Sequence, residues 1–479
     1  MNEARAAAPD ALLTQLADYA STYRLQDPAS LDAARLALTD TLACAFEALA
    51  QPACARLLGP LVPGTVVPHG ARVPGTAWVL DPAKATFDLG CMIRWLDWND
   101  ACSGALTMHP SDAFAAILML GDHLSRSRAA RGEAPLLVAD ALAAAVQVYE
   151  IQGALCAAND FRRHGIDQPL LVRVALAGVL TRMLGGDPRA VFNAISNAFV
   201  ETTLLAIRLP PNIGSRKNWA TAAASESAVR IALMALAGED GYPWLLSAPG
   251  CGFHDTRFGG TALVLDAPLG ESVIRRCMFK LVPAGMHGQT AAECAFALHA
   301  EVVARLDRIE RIALRCHRSL SLIMDKRGPL RNPADRDHCV QYIVALGLLH
   351  GELGPDHYSD AFAADPRIDA LRAKMTLEVD PTYTEGFFAP ERRSSANSVQ
   401  VFFHDGSSTG RVEREYPLGH PRRRAEAGAA LRDKFRRALR HLPAAKQAAI
   451  AQCFDDPAAL VAMPLHRLMD TLSLAPDEA

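Results

Sequence analysis

Four histidine- or lysine-bearing motifs of this chain fall where helices are predicted to begin. They lie at 97–112 (within WLDWND…MHPSD), 164–169 (HGIDQP), 214–219 (GSRKNW) and 284–290 (AGMHGQT). A helix N-terminus carries partial positive charge and unpaired N–H groups, so it favours acidic side chains over cations. An anionic ligand with several carboxylates, bound among converging helix ends, would account for all four motifs. The sequence therefore predicts a small polycarboxylic acid as the substrate.

Asp97 and His109 are the candidate catalytic residues of the first motif. Asp97 and Asp100 stand at the predicted end of a helix, where carboxylates are unfavourable, and Pro110 places His109 near the next N-cap. We predict a function for the Asp97–His109 pair, the alternative being that both acids are ordinary helix-end residues. In the second motif, the amide of Gln168 can donate a hydrogen bond to a substrate carboxylate.

Lys217 and His287 are the candidate catalytic residues of the other two motifs. Lys217, next to Arg216, opens a helix predicted over 218–236, where two cations oppose the helix dipole. His287 lies in a glycine-flanked segment before a helix predicted over 289–303, and glycine lets a ligand approach the backbone. The alternatives are a surface basic pair and an ordinary loop histidine.

A further polar cluster opens another predicted helix, over 337–349, in the stretch NPADRDHCVQY. It contains Arg336, His338 and Tyr342. We assign Arg336 and Tyr342, together with Arg216 and Gln168, to substrate binding.

The hydrophobic periodicity predicts a mainly α protein. Helical spacing extends from residue 10 to about 240, and long alanine-rich runs predict helices packed on helices. After about residue 270, strands are predicted at 273–283, 308–316, 374–379, 398–403 and 410–416. Helical patterning returns after Pro421. We therefore predict a large all-helical domain (1–270 and 420–479) with an inserted smaller α+β domain (271–419).

Composition excludes several classes of function. The net charge of −3, from 49 basic and 52 acidic residues, does not favour nucleic acid or an anionic membrane surface. The most apolar long run, 136–156, contains four polar or acidic residues, so we predict a buried helix rather than a membrane span. The first twenty residues have no apolar run of signal-peptide length, and the eleven cysteines are predicted to be reduced thiols in the cytoplasm.

No cofactor motif is present in the sequence. It has no nucleotide-binding glycine loop, no H-E-x-x-H and no C-x-x-C pair, so neither a nucleotide, a metal nor an iron–sulfur cluster is expected. A G-x-S-x-G match at 406–410 lies in a predicted turn between strands rather than in a strand-to-helix elbow, so we do not assign a nucleophilic serine.

The chain resembles the MmgE/PrpD family. The stretches that carry the resemblance run in order along the sequence: GCMIRWLDWND, HPSD, VYEIQG, SRKNWA, ALMALAGEDGYPWLL, GFHD, HGQTAAECA, RGPLRNPADRDHCVQYIVA, RIDALRAKM and EYPLGHPRRR. Motifs this long and numerous are specific for the family, and their density around 332–344 favours its dehydratase branch over the decarboxylase and epimerase relatives.

The resemblance implies a large helical domain and a smaller α+β lid domain, usually in a homodimer. It implies a cofactor-free lyase that removes water from 2-methylcitrate to give 2-methyl-cis-aconitate, a step of propionate breakdown. Transferred by motif, the family site comprises Asp97, His109, Lys217, His287 and Tyr342. We expect His109 or His287 to transfer protons, Asp97 to orient a histidine, and Lys217 with Arg216 to hold carboxylates.

Two positions depart from the family pattern and keep two alternatives open. The dehydratases usually have threonine where this chain has Ala101, and histidine where it has Gln168. Glutamine neither carries charge nor transfers protons near neutral pH. The alternatives are a diverged family member acting on another polycarboxylate, by dehydration, decarboxylation or epimerisation, and a carboxylate-binding homologue without turnover.

Overall fold

The computed structural model describes residues 8–104, 106–209 and 212–475, and it is mainly α-helical, as predicted. The helices before residue 270 are α1 (Ala11–Thr22), α2 (Pro28–Ala48), α3 (Pro52–Ala55), α4 (Pro82–Arg94), α5 (Phe114–Ala130), α6 (Val138–Ala158), α7 (Pro169–Met183), α8 (Pro188–Ala198), α9 (Arg216–Leu236) and α10 (Phe253–Arg257). The pair Asp-Pro begins several of them, since the carboxylate of Asp81 or Asp187 caps backbone N–H groups and proline suits the first turn.

The middle of the chain combines helices with a small sheet. Its helices are α11 (Val273–Arg276), α12 (Gln289–Val302), α13 (Arg318–Met324), α14 (Pro333–Arg336), α15 (Val340–His350), α16 (Asp360–Ala363), α17 (Pro366–Ala373) and α18 (Pro381–Phe388). Its strands are β3 (Ile309–Cys316), β4 (Met375–Val379), β5 (Asn397–Phe403) and β6 (Val412–Arg414), in the order β4-β3-β5-β6. β3 and β4 are parallel and the other pairs antiparallel, so the predicted β5–β6 hairpin is confirmed.

Two sequence predictions about strands were wrong. The segment 273–283, predicted as a strand, forms the short helix α11 and then an irregular stretch in which only Met278 pairs, as an isolated bridge with Ala101. Its apolar residues are buried, and α11 packs on α2 and α6, so a short apolar run here fits a strand and a buried helix equally well. The predicted all-helical part also contains two short paired strands, β1 (Ala71–Arg72) and β2 (Val79–Leu80).

The buried apolar side chains form two large clusters. One runs from Leu12 to Phe279 and resumes at Leu431, and the other runs from Val282 to Phe403. The C-terminal helices α19 (Arg424–Ala438), α20 (Ala444–Asp455), α21 (Pro457–Ala462) and α22 (Leu465–Leu472) contribute to the first cluster. These two clusters are the basis for our proposal of a discontinuous helical domain with an inserted α+β domain.

Helix α6 corresponds to the most apolar run of the sequence. Among the described residues, it is the helix long and apolar enough to cross a membrane, but most of that stretch is buried against other helices. It therefore packs as a core helix, as predicted.

Helices α4 and α9 pack closely, and their ends carry two of the predicted site regions. A Cβ atom added at Gly90 of α4 would lie 2.8 Å from the Cβ and 2.9 Å from the Cα of Ala222 in α9. Only a glycine allows this approach of the two backbones. The contact fixes the end of α4, just before Asp97, relative to the start of α9, which contains Lys217.

We expect Gly90→Val to lower the free energy of unfolding by about 1–3 kcal/mol, because the added methyl groups force α4 and α9 apart. The control is Gly428→Ala in α19, where the nearest atom to an added Cβ is 3.7 Å away. That change should be neutral or stabilise by up to about 1 kcal/mol. Urea denaturation of both variants checks this, and equal stabilities would contradict the close α4–α9 contact.

Candidate active site

A cavity of about 90 Å³ lies where the two apolar clusters meet. Its wall is made of Arg94, Asp97, Leu106, Thr107, His109, Arg162, Asp167, Gln168, Leu205, Arg208, Leu209, Met286, His287, Ile323 and His338. Most of these residues precede residue 210, and the last four come from the segment around the second cluster.

Asp97 is the most heavily paired charge of the wall. It follows α4 with a left-handed backbone conformation (φ 48°), which turns its carboxylate back towards Arg94. Arg94 Nη1 and Lys280 Nζ each lie 2.5 Å from Asp97 Oδ1, and Lys217 Nζ lies 3.6 Å from Oδ2. Burial by itself would raise the pKa of Asp97, but these cations hold it well below its ordinary value. Asp97 is therefore an anion at neutral pH.

Lys217 is buried behind the cavity wall. Its Nζ lies 2.7 Å from Asp337 Oδ1 and 3.0 Å from His338 Nδ1. Within the described part of the chain, Asp97, Asp337 and His338 form the group of ligand atoms whose spacing suits a metal ion. The ammonium of Lys217 already sits among those three residues, so a cation bound there would have to displace it.

His109 is held as a neutral imidazole with a defined tautomer. Its Nδ1 lies 2.6 Å from the carbonyl oxygen of Asp100, and a carbonyl only accepts, so Nδ1 carries the proton. Burial, with help from Arg94 and Lys280, lowers the pKa of His109 well below 6.5. Its Nε2, 3.9 Å from Asp97 Oδ1, therefore has a free lone pair at neutral pH. This arrangement suits a general base.

The loop that carries Asp97 and His109 is fixed by buried polar contacts. Asp100 Oδ1 accepts hydrogen bonds from the N–H and the hydroxyl of Ser111, and Oδ2 accepts one from the Tyr149 hydroxyl. Gln168 Oε1 accepts the backbone N–H of His109 at 2.7 Å. These contacts keep the His109 ring in place before a ligand arrives.

His287 forms another part of the cavity wall, just before α12. It is buried beside His317 and Phe387, and its Nδ1 has no hydrogen-bond partner among the described residues. Burial, with smaller effects of His317 and Arg162, lowers the pKa of His287 well below 6.5. Both histidines predicted to transfer protons are thus neutral in the protein alone.

The structure brings some of the predicted site residues together and not others. Asp97, His109, Gln168 and His287 line the cavity, and Lys217 contacts its charged wall from behind.

Three predicted binding residues lie outside the cavity wall. Arg216 is exposed, with its guanidinium over the Trp219 ring. Arg336 Nη1 donates to the Tyr358 carbonyl, and the Tyr342 hydroxyl donates to the His357 carbonyl. All three side chains therefore contact protein groups away from the cavity.

Four cationic residues of the site were not predicted from the sequence. Arg94 and Lys280 pair with Asp97, and Arg162 and Arg208 line the cavity. Arg94 lies three residues before Asp97, a spacing that signals a pair on a helix end. Lys280 lies in the segment wrongly predicted as a strand. No local pattern pointed to Arg162 or Arg208.

Known proteins match this chain over almost its full length. Residues 14–265 match the model of the MmgE/PrpD N-terminal domain, and residues 282–456 match that of the MmgE/PrpD C-terminal domain. A 2-methylcitrate dehydratase of Cupriavidus necator is 45% identical over 97% of this chain and 98% of its own length. One from Escherichia coli (strain K12) is 44% identical (96% and 97%), and a mitochondrial one from Yarrowia lipolytica is 41% identical (90% and 84%).

Lys280 predicts a pH dependence of stability. Burial lowers its pKa from 10.5 to about 8, although Asp97 opposes the shift. Between these pH values Lys280 is protonated in the unfolded chain but not in the folded protein. The free energy of unfolding therefore increases as the pH rises from about 8 to 10.5. Lys280→Met should remove this increase, and stability should rise less from pH 8 to 10.5 than in the wild type.

Urea denaturation across this pH range measures the effect. The control is Lys326→Met, which removes another buried lysine, paired with Asp335 away from the cavity. It should keep the wild-type rise between pH 8 and 10.5. If stability rises as much in Lys280→Met as in the wild type, Lys280 is not the group whose pKa is lowered by burial.

Proposed function

The chain belongs to the MmgE/PrpD family, and we propose that it is a hydro-lyase that converts 2-methylcitrate to 2-methyl-cis-aconitate and water. The observation that carries this proposal is the match to 2-methylcitrate dehydratases over nearly the full length of both chains. The cavity supports it, because it combines neutral histidines with fixed cations, as a small organic acid requires.

The reaction breaks a C–H bond beside a carboxylate and a C–O bond on the adjacent carbon. The electron pair of the C–H bond becomes the new double bond, and the hydroxyl leaves as water once it is protonated. The site therefore needs a base for the carbon proton, an acid for the hydroxyl and fixed positive charge for the carboxylates.

In our proposal, His109 is the base. Its Nδ1–H is fixed on the Asp100 carbonyl, which leaves Nε2 as the basic atom. His287 protonates the leaving hydroxyl. His287 is neutral in the protein alone. A bound trianion raises the pKa of a neighbouring imidazole, so substrate binding favours protonation of His287.

Asp97 and Lys217 support these histidines rather than react. Asp97 pairs with Arg94 and Lys280 and lies 3.9 Å from His109 Nε2, so it sets the charge of the wall beside that histidine. Lys217 balances the charges of Asp97 and Asp337 from behind. The earlier expectation that Lys217 itself holds substrate carboxylates is replaced by this indirect role.

Gln168 occupies the position where relatives were expected to have histidine. Its oxygen accepts the backbone N–H of His109, and its amide nitrogen lies 3.4 Å from Asp112 Oδ2. It therefore positions His109 without transferring protons, and dehydration remains compatible with glutamine here.

We further propose that the inserted α+β domain closes over the cavity as a lid. Met286, His287, Ile323 and His338, which line the cavity, come from the segment around its apolar cluster. A homodimer and a cytoplasmic location remain part of the proposal. The eleven cysteines, all free thiols, are consistent with a reducing compartment.

We expect His109→Ala and His287→Ala to lower kcat for 2-methylcitrate by about 100-fold or more, because each removes a group that transfers a proton. The exposed His404 provides the control, and His404→Ala should keep the wild-type rate. A panel of tricarboxylates, followed by the ultraviolet absorbance of the conjugated alkene, measures this. Near-normal rates in both cavity variants would contradict the assignment of His109 and His287 to the active site. If the wild type turns over no tricarboxylate, the protein is a carboxylate-binding homologue without turnover.

We also expect activity to survive removal of metal ions. The ammonium of Lys217 sits among the side chains best placed to bind one, so no ion is needed to balance Asp97 and Asp337. Purified enzyme would be treated with a chelator, assayed, and analysed for iron and zinc. A loss of rate that added metal restores would contradict this prediction.

A further inference from the structure

Arg162 and Arg208 line the cavity from two 3₁₀-helices that the backbone joins. Arg162 lies in Phe161–His164 and Arg208 ends Leu205–Arg208. The Leu205 N–H donates to the Gly165 carbonyl at 2.9 Å, and the Asp167 N–H donates to the Thr203 carbonyl at 2.8 Å. The two guanidinium groups are therefore held on one structural unit, beside the start of α7.

Arg208 is anchored with part of its guanidinium left unpaired. Its Nε lies 2.8 Å and 2.6 Å from the two carboxylate oxygens of Asp167, which is itself buried. Its Nη2 is buried and has no hydrogen-bond partner among the described residues. A buried donor without a partner is unfavourable, and an anionic ligand in the cavity would satisfy it.

Arg162 has no protein partner for its charge within the described ranges. Its side chain lines the cavity without an ion pair or hydrogen bond there, and its charge helps to depress the pKa of His287. Of the five charged side chains in the wall, Arg94 and Arg208 face acidic partners, in Asp97 and Asp167. Arg162 is the wall cation left for a ligand.

We propose that Arg162 and Arg208 bind the substrate carboxylate on the CH2 arm, the one attached to neither reacting carbon. This inference rests on the proposed dehydration. The two other carboxylates flank the bond that becomes the alkene and so must lie near His109 and His287. The arginine pair then selects tricarboxylates over dicarboxylates. The sequence alone had assigned Arg216 and Arg336 to substrate binding.

The test compares two substrates in matched variants. The first is 2-methylcitrate, and the second is the dicarboxylate analogue in which the CH2–COO⁻ arm is replaced by methyl. Arg162→Gln should lower kcat/KM for the tricarboxylate by about 100-fold, the loss typical of removing one partner of a close charge pair. It should leave kcat/KM for the analogue nearly unchanged. Arg163→Gln, an exposed arginine of the same 3₁₀-helix, is the control and should change neither.

Arg208 needs a more conservative variant, since Arg208→Gln would leave the buried Asp167 unpaired. Arg208→Lys keeps the charge but not the planar, bidentate donor set, and should likewise weaken the tricarboxylate alone. Equal losses on both substrates, or no loss on either in Arg162→Gln, would overturn the proposal.

A calorimetric titration separates this proposal from the proposed function. If the wild type turns over neither substrate, 2-methylcitrate is titrated into wild type and Arg162→Gln. Weaker binding by the variant would support the arginine pair while dehydration fails, and equal binding would overturn the pair as well.

Discussion

The buried carboxylate of Asp97 is the interaction on which the site depends. It holds Arg94 from the end of α4 and Lys280 from the segment between the two apolar clusters, and Lys217 and His338 lie within 4 Å. Removing these charges from water is costly, and their mutual attraction offsets that cost only when the partners are in place. The cavity wall therefore forms only when both clusters are folded and joined.

Burial, together with the charges around the cavity, determines the protonation state of the two histidines. Burial and nearby cations keep His109 and His287 neutral, whereas Asp97 would favour the charged form of His109. A trianionic substrate would change this balance by adding negative charge beside both rings. In the proposed mechanism, substrate binding is therefore linked to proton transfer through the electrostatics of the cavity.

Much of the fold followed from the sequence because its signals were local. The start of α8 at Asp187-Pro188, the α5, α7 and α9 helices and the β5–β6 hairpin depend on capping, periodicity and turn chemistry within a few residues. The segment 273–283 failed because a short apolar run fits a strand or a buried irregular stretch equally well. What buries it lies elsewhere in the chain.

For the site, the sequence by itself determined the family and marked the motifs that bring Asp97, His109 and His287 to the cavity, and it predicted a polyanionic substrate. Only the tertiary structure decided which cations join them. Lys217 and Asp337 are 120 residues apart, and a helix start fixes a backbone position but not the neighbour that a side chain meets. Arg336 consequently binds a carbonyl elsewhere, whereas Arg162 reaches the cavity because a distant segment supports its 3₁₀-helix.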